Sequence, residues 1–462
     1  MRRLSLIALV LLGGACRAPT PSLSPPPPPD PRVAWAFLDA LEERTFRFFW
    51  EQADPRTGLV PDRWPTPSFS NIAAVGFGLT AYPIGVERGY VSRADARRRV
   101  LATLDFFLRA PQGPQRSGVA GHRGFFYHFL GMSTGHRFRA VELSTIDTAL
   151  LLGGVLFCQS YSDGPLAEEE AVREKAEELL RRADWRWAVA RPPLVSMGWK
   201  PETGFLEPDW RGYNEAMPLY VLALASPTHA VEESAWTEWT RTYTWGTFQG
   251  QAHVALGALF GHQCSHVWID FRGIRDAYMR ARGIDYFENS RRATYAQRAY
   301  AALNPMGWRD YGTEVWGLTA CDGPAGLRLP VDGRPRTFWT YAARGASLGE
   351  IRDDGTIAPT AAAASLPFAP EIVLPALLEM RRRYGDRLFS TYGFKDAFNP
   401  SFRGGWVDTD YLGIDQGPIL AMIENHRTGL VWRTLRKNPH VVRGLRRAGF
   451  TGGWLEDTAA IR

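Results

Sequence analysis

Cysteine is scarce in this chain of 462 residues, with only Cys16, Cys158, Cys264 and Cys321. Setting Cys16 aside leaves an odd number that cannot all pair, and none has the spacing of a metal-ligand set. They read as buried small hydrophobes. Long apolar runs are missing as well. The leader run Leu4–Leu12 is nine residues long, too short for a bilayer, and no later segment would make a membrane helix. The net charge of +6 comes mostly from arginines scattered through helices, as in ADARRRV and EMRRRYG. No basic cluster accompanies a nucleic-acid motif, so no nucleic-acid partner is expected. A nucleotide-binding loop and a GxSxG elbow are both absent. No fixed period marks a solenoid.

The N-terminus, MRRLSLIALVLLGGAC, has the shape of an export signal: two arginines, a short apolar run, then small residues. Small residues before Cys16 resemble a lipoprotein processing site, with Cys16 lipidated, although Gly13 stands where that pattern wants Leu. Ordinary cleavage after Ala15 is the alternative. Either route takes the chain out of the cytoplasm, to the periplasm or cell envelope, and loss of Arg2 and Arg3 leaves about +4. Residues 17–33 are rich in proline and form a stiff extended tether. Any membrane contact is therefore expected through the N-terminal anchor alone. Residues 34–462 read as one domain, and 45% hydrophobic against 22% charged residues suits a globular chain with a large core.

Within that domain, amphipathic helices alternate with wholly apolar ones. WAFLDALEERTFRFFWEQA and ADARRRVLATLDFFLRA carry apolar residues on one face. NIAAVGFGLTAYPIGVE, STIDTALLLGGVLFCQS and NEAMPLYVLALAS are apolar nearly all round. A helix apolar on every side must be enclosed on every side. An inner ring of helices within an outer ring satisfies this, so the expected fold is all-α, an (α/α)6 toroid with short β-strands in loops such as FFYHFLG.

Carboxylates stand at the openings of the apolar helices. In NEAMP and IDQGP an acid precedes a proline by three residues, and proline is best tolerated in a helix's first turn. Pro218 and Pro418 are therefore expected to fix two helix starts, with Glu215 and Asp415 at or beside the N-caps. Asp147, in ELSTIDTALLLGG, opens a third. Capping alone accounts for an acid at one helix start; three at the most buried helices point to acid–base chemistry. The helix dipole favours the charged form, so Glu215 needs burial, beside residues such as Trp210 and Tyr213, to act as an acid.

Aromatic loops such as SMGWKPETG, NPMGWRDYG, TFWTY and FRGGWVD offer flat surfaces for sugar rings, while others of the 17 tryptophans fill space between helices. In GHQCSHVWIDFRGIRD, His262, His266 and Asp270 fall at i, i+4 and i+8. Bracketing glycines and the lack of a companion glutamate favour hydrogen bonding in a polar groove, with Arg272, over a metal site.

The stretches ELSTIDTALLLGG, GYNEAMPLYVLALASPTH, GHQCSHVWIDFRGI and YLGIDQGPILAMIENHRTGLVW together resemble the bacterial glycoamylase-like domain, the group containing glycoside hydrolase family 144, the endo-β-1,2-glucanases. The similarity spans about residues 35–435. It implies a toroid, an inverting reaction on β-1,2-glucan, and no metal or cofactor. Glu215 would be the general acid and Asp415 the base, with Asp147 a supporting or rival carboxylate. Acid and base would stand roughly 6.5–9.5 Å apart to admit water. Expected substrate-binding residues are Glu142, Trp210, Tyr213, His262, Gln263, His266, Asp270, Arg272, Trp308, Trp316 and Trp406. A transglycosylase, an exo-acting enzyme releasing disaccharides, and a lipid-anchored glucan-binding protein remain the alternatives.

Overall fold

Polar side chains just ahead of the helical run cap the starts of several helices of this protein. A computed structural model describes residues 23–456. The leader and Cys16 lie outside those residues. Helix α1 (Pro31–Gln52) is capped by Asp30, α2 (Ile72–Glu87) by Asn71, α3 (Arg93–Arg109) by Ser92, and α4 (Thr145–Tyr161) by Ser144. Each cap accepts a hydrogen bond from an otherwise unpaired first-turn N–H. Then follow α5 (Ala167–Arg182), α6 (Met217–Ala225), α7 (Ser234–Arg241), α8 (Phe260–Val267), α9 (Ala277–Arg282) and α10 (Tyr286–Leu303). Helices α11 (Pro359–Ala363), α12 (Pro370–Tyr384), α13 (Gly413–Arg427), α14 (Leu430–Leu435) and α15 (Pro439–Arg447) complete the series.

Every residue of α6 is buried, as are nearly all of α2, α4 and α13. The amphipathic α1, α3 and α5 bury one face against them. Glycine lets α2 and α4 come close: a Cβ on Gly154 would stand 2.1 Å from the Gly76 carbonyl oxygen. Away from the cavity described below, the far ends of α2 and α13 are tied to the middle of α1 by ion pairs centred on the buried Glu42 and Glu424. Arg427 donates to Glu42 (2.6 Å) and pairs with Asp39 (2.5 Å), while Arg88 donates to Glu424 (2.6 Å) and approaches Glu42 (3.3 Å).

The strands are short and antiparallel. Most pair in twos, but Gly121–His122, Phe125–Tyr127, Leu143–Ser144, Gly198–Lys200 and Gly204–Phe205 form a five-stranded sheet in that order. This sheet delivers Ser144 to the start of α4.

Three expectations need correction. Pro218 is in the first turn of α6, but Pro418 lies inside α13, which starts five residues earlier. Strand pairing fixes that start instead: Leu412 pairs with Arg63, and the Gly413 N–H donates to the Asp62 carbonyl (2.8 Å). Asp270 does not share a helical face with the two histidines, because α8 ends at Val267. Residues 31–33, expected in the extended segment, instead open α1 at Pro31, and the Leu23 and Ser24 carbonyls accept from Arg298 (3.3 Å each). No helix among the described residues is long and apolar enough to cross a membrane. Cys158, Cys264 and Cys321 are free and buried, as expected.

Candidate active site

The starts of α2, α4, α6, α8, α11 and α13 all open on one cavity of about 420 Å³, lined among others by Asn71, Asp147, Glu215, Gln263, Thr360 and Asp415. The three carboxylates singled out in the sequence therefore share one chamber, although they come from distant parts of the chain.

Glu215 stands one residue before the N-cap of α6, in a bend where the Asn214 side chain accepts the Ala216 N–H (3.1 Å). Burial pushes its carboxyl up to about 7, and the negative charge of Asp147 adds to the effect. Near neutrality it is poised to give up a proton.

Asp147 is the third residue of α4. The Ser144 hydroxyl both accepts its N–H (3.1 Å) and donates to its carboxylate, a reciprocal cap. His128 lies between two acids, with Nδ1 2.8 Å from Glu142 Oε1 and Nε2 3.6 Å from Asp147 Oδ1. Burial works against its protonation, but Asp147 and Glu142 outweigh that and push it up to about 9. At neutral pH the imidazole is a cation locked between carboxylates.

Asp415 is in the first turn of α13 and is buried, and its Oδ2 has no hydrogen-bond partner. Burial pushes it up to about 7, and the negative charges of Asp322, Asp62 and Asp408 push the same way. Cys264 lies on the cavity wall, its thiol raised first by burial and then by the charges of both Glu215 and Asp415.

Of the expected binding residues, Gln263 lines the cavity, but its amide is used to tie α8 to α11 through the Ala361 carbonyl (2.6 Å) and Ser365 Oγ (2.8 Å). Glu142 reaches the cavity through His128. Trp210 is buried and donates to Thr145 Oγ1 (3.0 Å), bracing α4. Tyr213, His262 and His266 are buried in an aromatic core, with His266 Nε2 3.1 Å from Ser290 Oγ. Trp308 and Trp316 are core residues too. None of these buried rings has a face free for a sugar. Asp270 is buried in a fork with Arg272 (2.8 and 2.7 Å), and Arg272 lies over Trp432 (4.3 Å). Neither Arg272 nor the half-buried Trp406 lines the cavity.

Residues that sequence reading missed are also there. Asp62 accepts from Asn71 (3.1 Å), Arg63 pairs with Asp322 (2.5 Å), and Tyr341, 53% exposed, stands at the cavity edge. His128 lies in FFYHFLG, a stretch quoted only as a strand.

The Glycoamylase family model, described as "Putative glucoamylase", matches residues 207–439. A structure of the same description from Bacteroides uniformis ATCC 8492 is 31% identical, with a TM-score of 0.79 over 92% of this chain and 99% of its own. The chain belongs to the glycoamylase family. Another similar structure is the endo-β-1,2-glucanase from Chitinophaga pinensis in its sophorotriose and glucose complex, at 27% identity, TM-score 0.80, over 91% of this chain and 99% of that one. The exo β-1,2-glucooligosaccharide sophorohydrolase (non-reducing end) of Parabacteroides distasonis is 28% identical over 443 residues, 89% of this chain. This glycoamylase-family chain spans only 57% of that relative's length.

Proposed function

We propose that this protein is a glycoside hydrolase that cleaves β-1,2-glucan, or oligosaccharides derived from it, with inversion at the anomeric carbon. The proposed scaffold is an (α/α)6 toroid whose inner helices are α2, α4, α6, α8, α11 and α13. The observation that carries this reading is the meeting of Glu215, Asp415 and Asp147 in one cavity at the starts of buried helices. Its volume falls in the roughly 300–1,000 Å³ range of small-ligand sites. Family membership and the descriptions of the Chitinophaga and Parabacteroides relatives support the β-1,2 linkage.

In the proposed single displacement, Glu215 donates its proton to the leaving glycosidic oxygen as the bond to the anomeric carbon breaks. Water attacks that carbon from the opposite face and passes a proton to Asp415. Exchange with solvent then restores both groups. The imidazolium of His128 holds Asp147 and Glu142 in place beside the acid. General acid–base assistance supplies about 10²–10⁴-fold of the acceleration.

A second reading, exo release of disaccharides, is supported by the description of the Parabacteroides relative. Chromatography of products from linear β-1,2-glucan separates the two: a ladder of sizes means endo action, a single disaccharide exo action. Polarimetry should detect the α-anomer first. Initial release of the β-anomer, or no product at all, would sink the proposal.

We also propose export and lipidation at Cys16, on the strength of the leader sequence. Cys16→Ala should release the protein from the membrane fraction and abolish labelling by a radioactive fatty acid. Unchanged labelling would exclude Cys16 as the attachment point.

A further inference from the structure

Behind Asp415, outside the cavity lining, three loops bring Asp322, Asp396 and Asp408 together. Each offers a carboxylate oxygen no more than 4.8 Å from those of the other two. Backbone bonds hold the loops in this arrangement. The Asp322 N–H donates to Asp396 Oδ2 (2.7 Å), the Asp408 N–H to the Ala397 carbonyl (2.8 Å), and the Asp396 N–H to the Asp410 carbonyl (3.0 Å).

Charge here is lopsided. Arg63 pairs with Asp322 (2.5 Å), Asp62 (3.3 Å) and Asp410 (3.7 Å), and among the described residues no cation pairs with Asp396 or Asp408. A separate observation concerns single atoms. Asp396 Oδ1 and Asp408 Oδ2 are buried with no hydrogen-bond partner, on side chains of residues only 2% and 7% exposed. Buried polar atoms in native proteins are almost always paired, and an orphaned carboxylate oxygen is among the costliest to leave alone.

We propose that Asp322, Asp396 and Asp408 hold a hard divalent cation of the size of Ca²⁺. The donors are all oxygen, with neither cysteine nor histidine, which disfavours soft metals. Ligands across a Ca²⁺ at 2.3–2.6 Å stand up to roughly 5 Å apart, which accommodates oxygens within 4.8 Å of one another. Asp322, with its side chain 16% exposed, gives the ion a way in from solvent and leaves room for water ligands. The ion takes no part in the chemistry proposed above. It pins the segment 396–408, which runs through the strand Tyr411–Leu412 into the start of α13.

The test uses the whole protein stripped with EDTA and dialysed, then titrated with CaCl₂, MgCl₂ or TbCl₃. Ca²⁺ at a hundredfold excess over its Kd should raise Tm by about 3 °C, with a smaller rise for Mg²⁺. Terbium should show saturable emission sensitised by nearby aromatic residues and displaced by Ca²⁺. Asp408→Asn should abolish both effects while melting in EDTA no lower than the parent, because one crowded charge has gone. That last measurement separates a lost site from a damaged fold. The proposal is overturned if the parent shows neither a Ca²⁺-dependent shift nor terbium emission, or if Asp408→Asn keeps both. The readout needs no glucan turnover, so failure here leaves the hydrolase reading standing.

Discussion

Replacing Glu215 by glutamine keeps the shape of the side chain and removes its proton, so it tests the acid role directly. With the folded carboxyl at about 7, the parent's turnover should fall about tenfold per pH unit above neutrality. Glu215→Gln should lower turnover on β-1,2-glucan by about 10²–10⁴-fold, roughly 3–5 kcal/mol of barrier, and flatten that alkaline limb. An aryl glycoside, whose phenolate leaves without protonation, should lose far less. Stability should move the other way. The carboxyl titrates at 4.5 when exposed and at about 7 in the fold. It therefore costs nothing below the first value, costs progressively more as pH rises between the two, and costs its full amount above the second. At pH 8 the amide should be more stable by up to about 3 kcal/mol, discounted for the partial exposure of the group, and at pH 4 it should gain nothing. Calorimetry at the two pH values, beside kinetics on both substrates, makes the check. Equal losses on glucan and aryl glycoside, or near-normal glucan turnover, would refute the assignment of Glu215 as the acid.

Asp415→Asn should reduce glucan turnover by about a hundredfold or more without the sparing effect of a good leaving group, because the attacking water still lacks its base; aryl-glycoside kinetics that recover would reject this role. His128→Gln leaves Glu142 and Asp147 facing each other without a cation. Turnover should drop by about tenfold to a hundredfold with little change in KM, and an unaltered kcat would remove His128 from the positioning role. Arg88→Leu strips a partner from Glu42 and Glu424, both almost fully buried, and should cost about 3–5 kcal/mol in denaturant unfolding while leaving KM alone. Trp316→Ala should likewise cost about 3–5 kcal/mol without weakening substrate binding, since its ring is wholly in the core; a raised KM with normal stability would return it to the sugar site.

The helical character was legible because apolar periodicity reports burial locally: α6 is enclosed on all sides, as MPLYVLALA implies. The helix starts were legible where a cap or first-turn proline decided them, as at Ser144 and Pro218. They were not legible at Gly413, where the deciding contact is a strand pair with Arg63, some 350 residues away. Glu215, Asp415 and Asp147 could be picked out because each interrupts an apolar helix at its opening. The tryptophans could not be sorted, because the same side chain suits a stacking platform and a packed interior, and Trp308 and Trp316 proved to be the latter. His128 was lost because its meaning depends on Glu142 and Asp147, which the chain brings to it only after folding.

The knot of Glu42, Arg88, Glu424 and Arg427 joins the opening helix of the domain to one near its end. A ribosome-bound chain halted before Arg427 emerges leaves Glu42 with Arg88 alone as its counterion and α1 without α13, one of the helices it packs on. Such a nascent chain should stay more open to protease than one in which α13 has docked on α1.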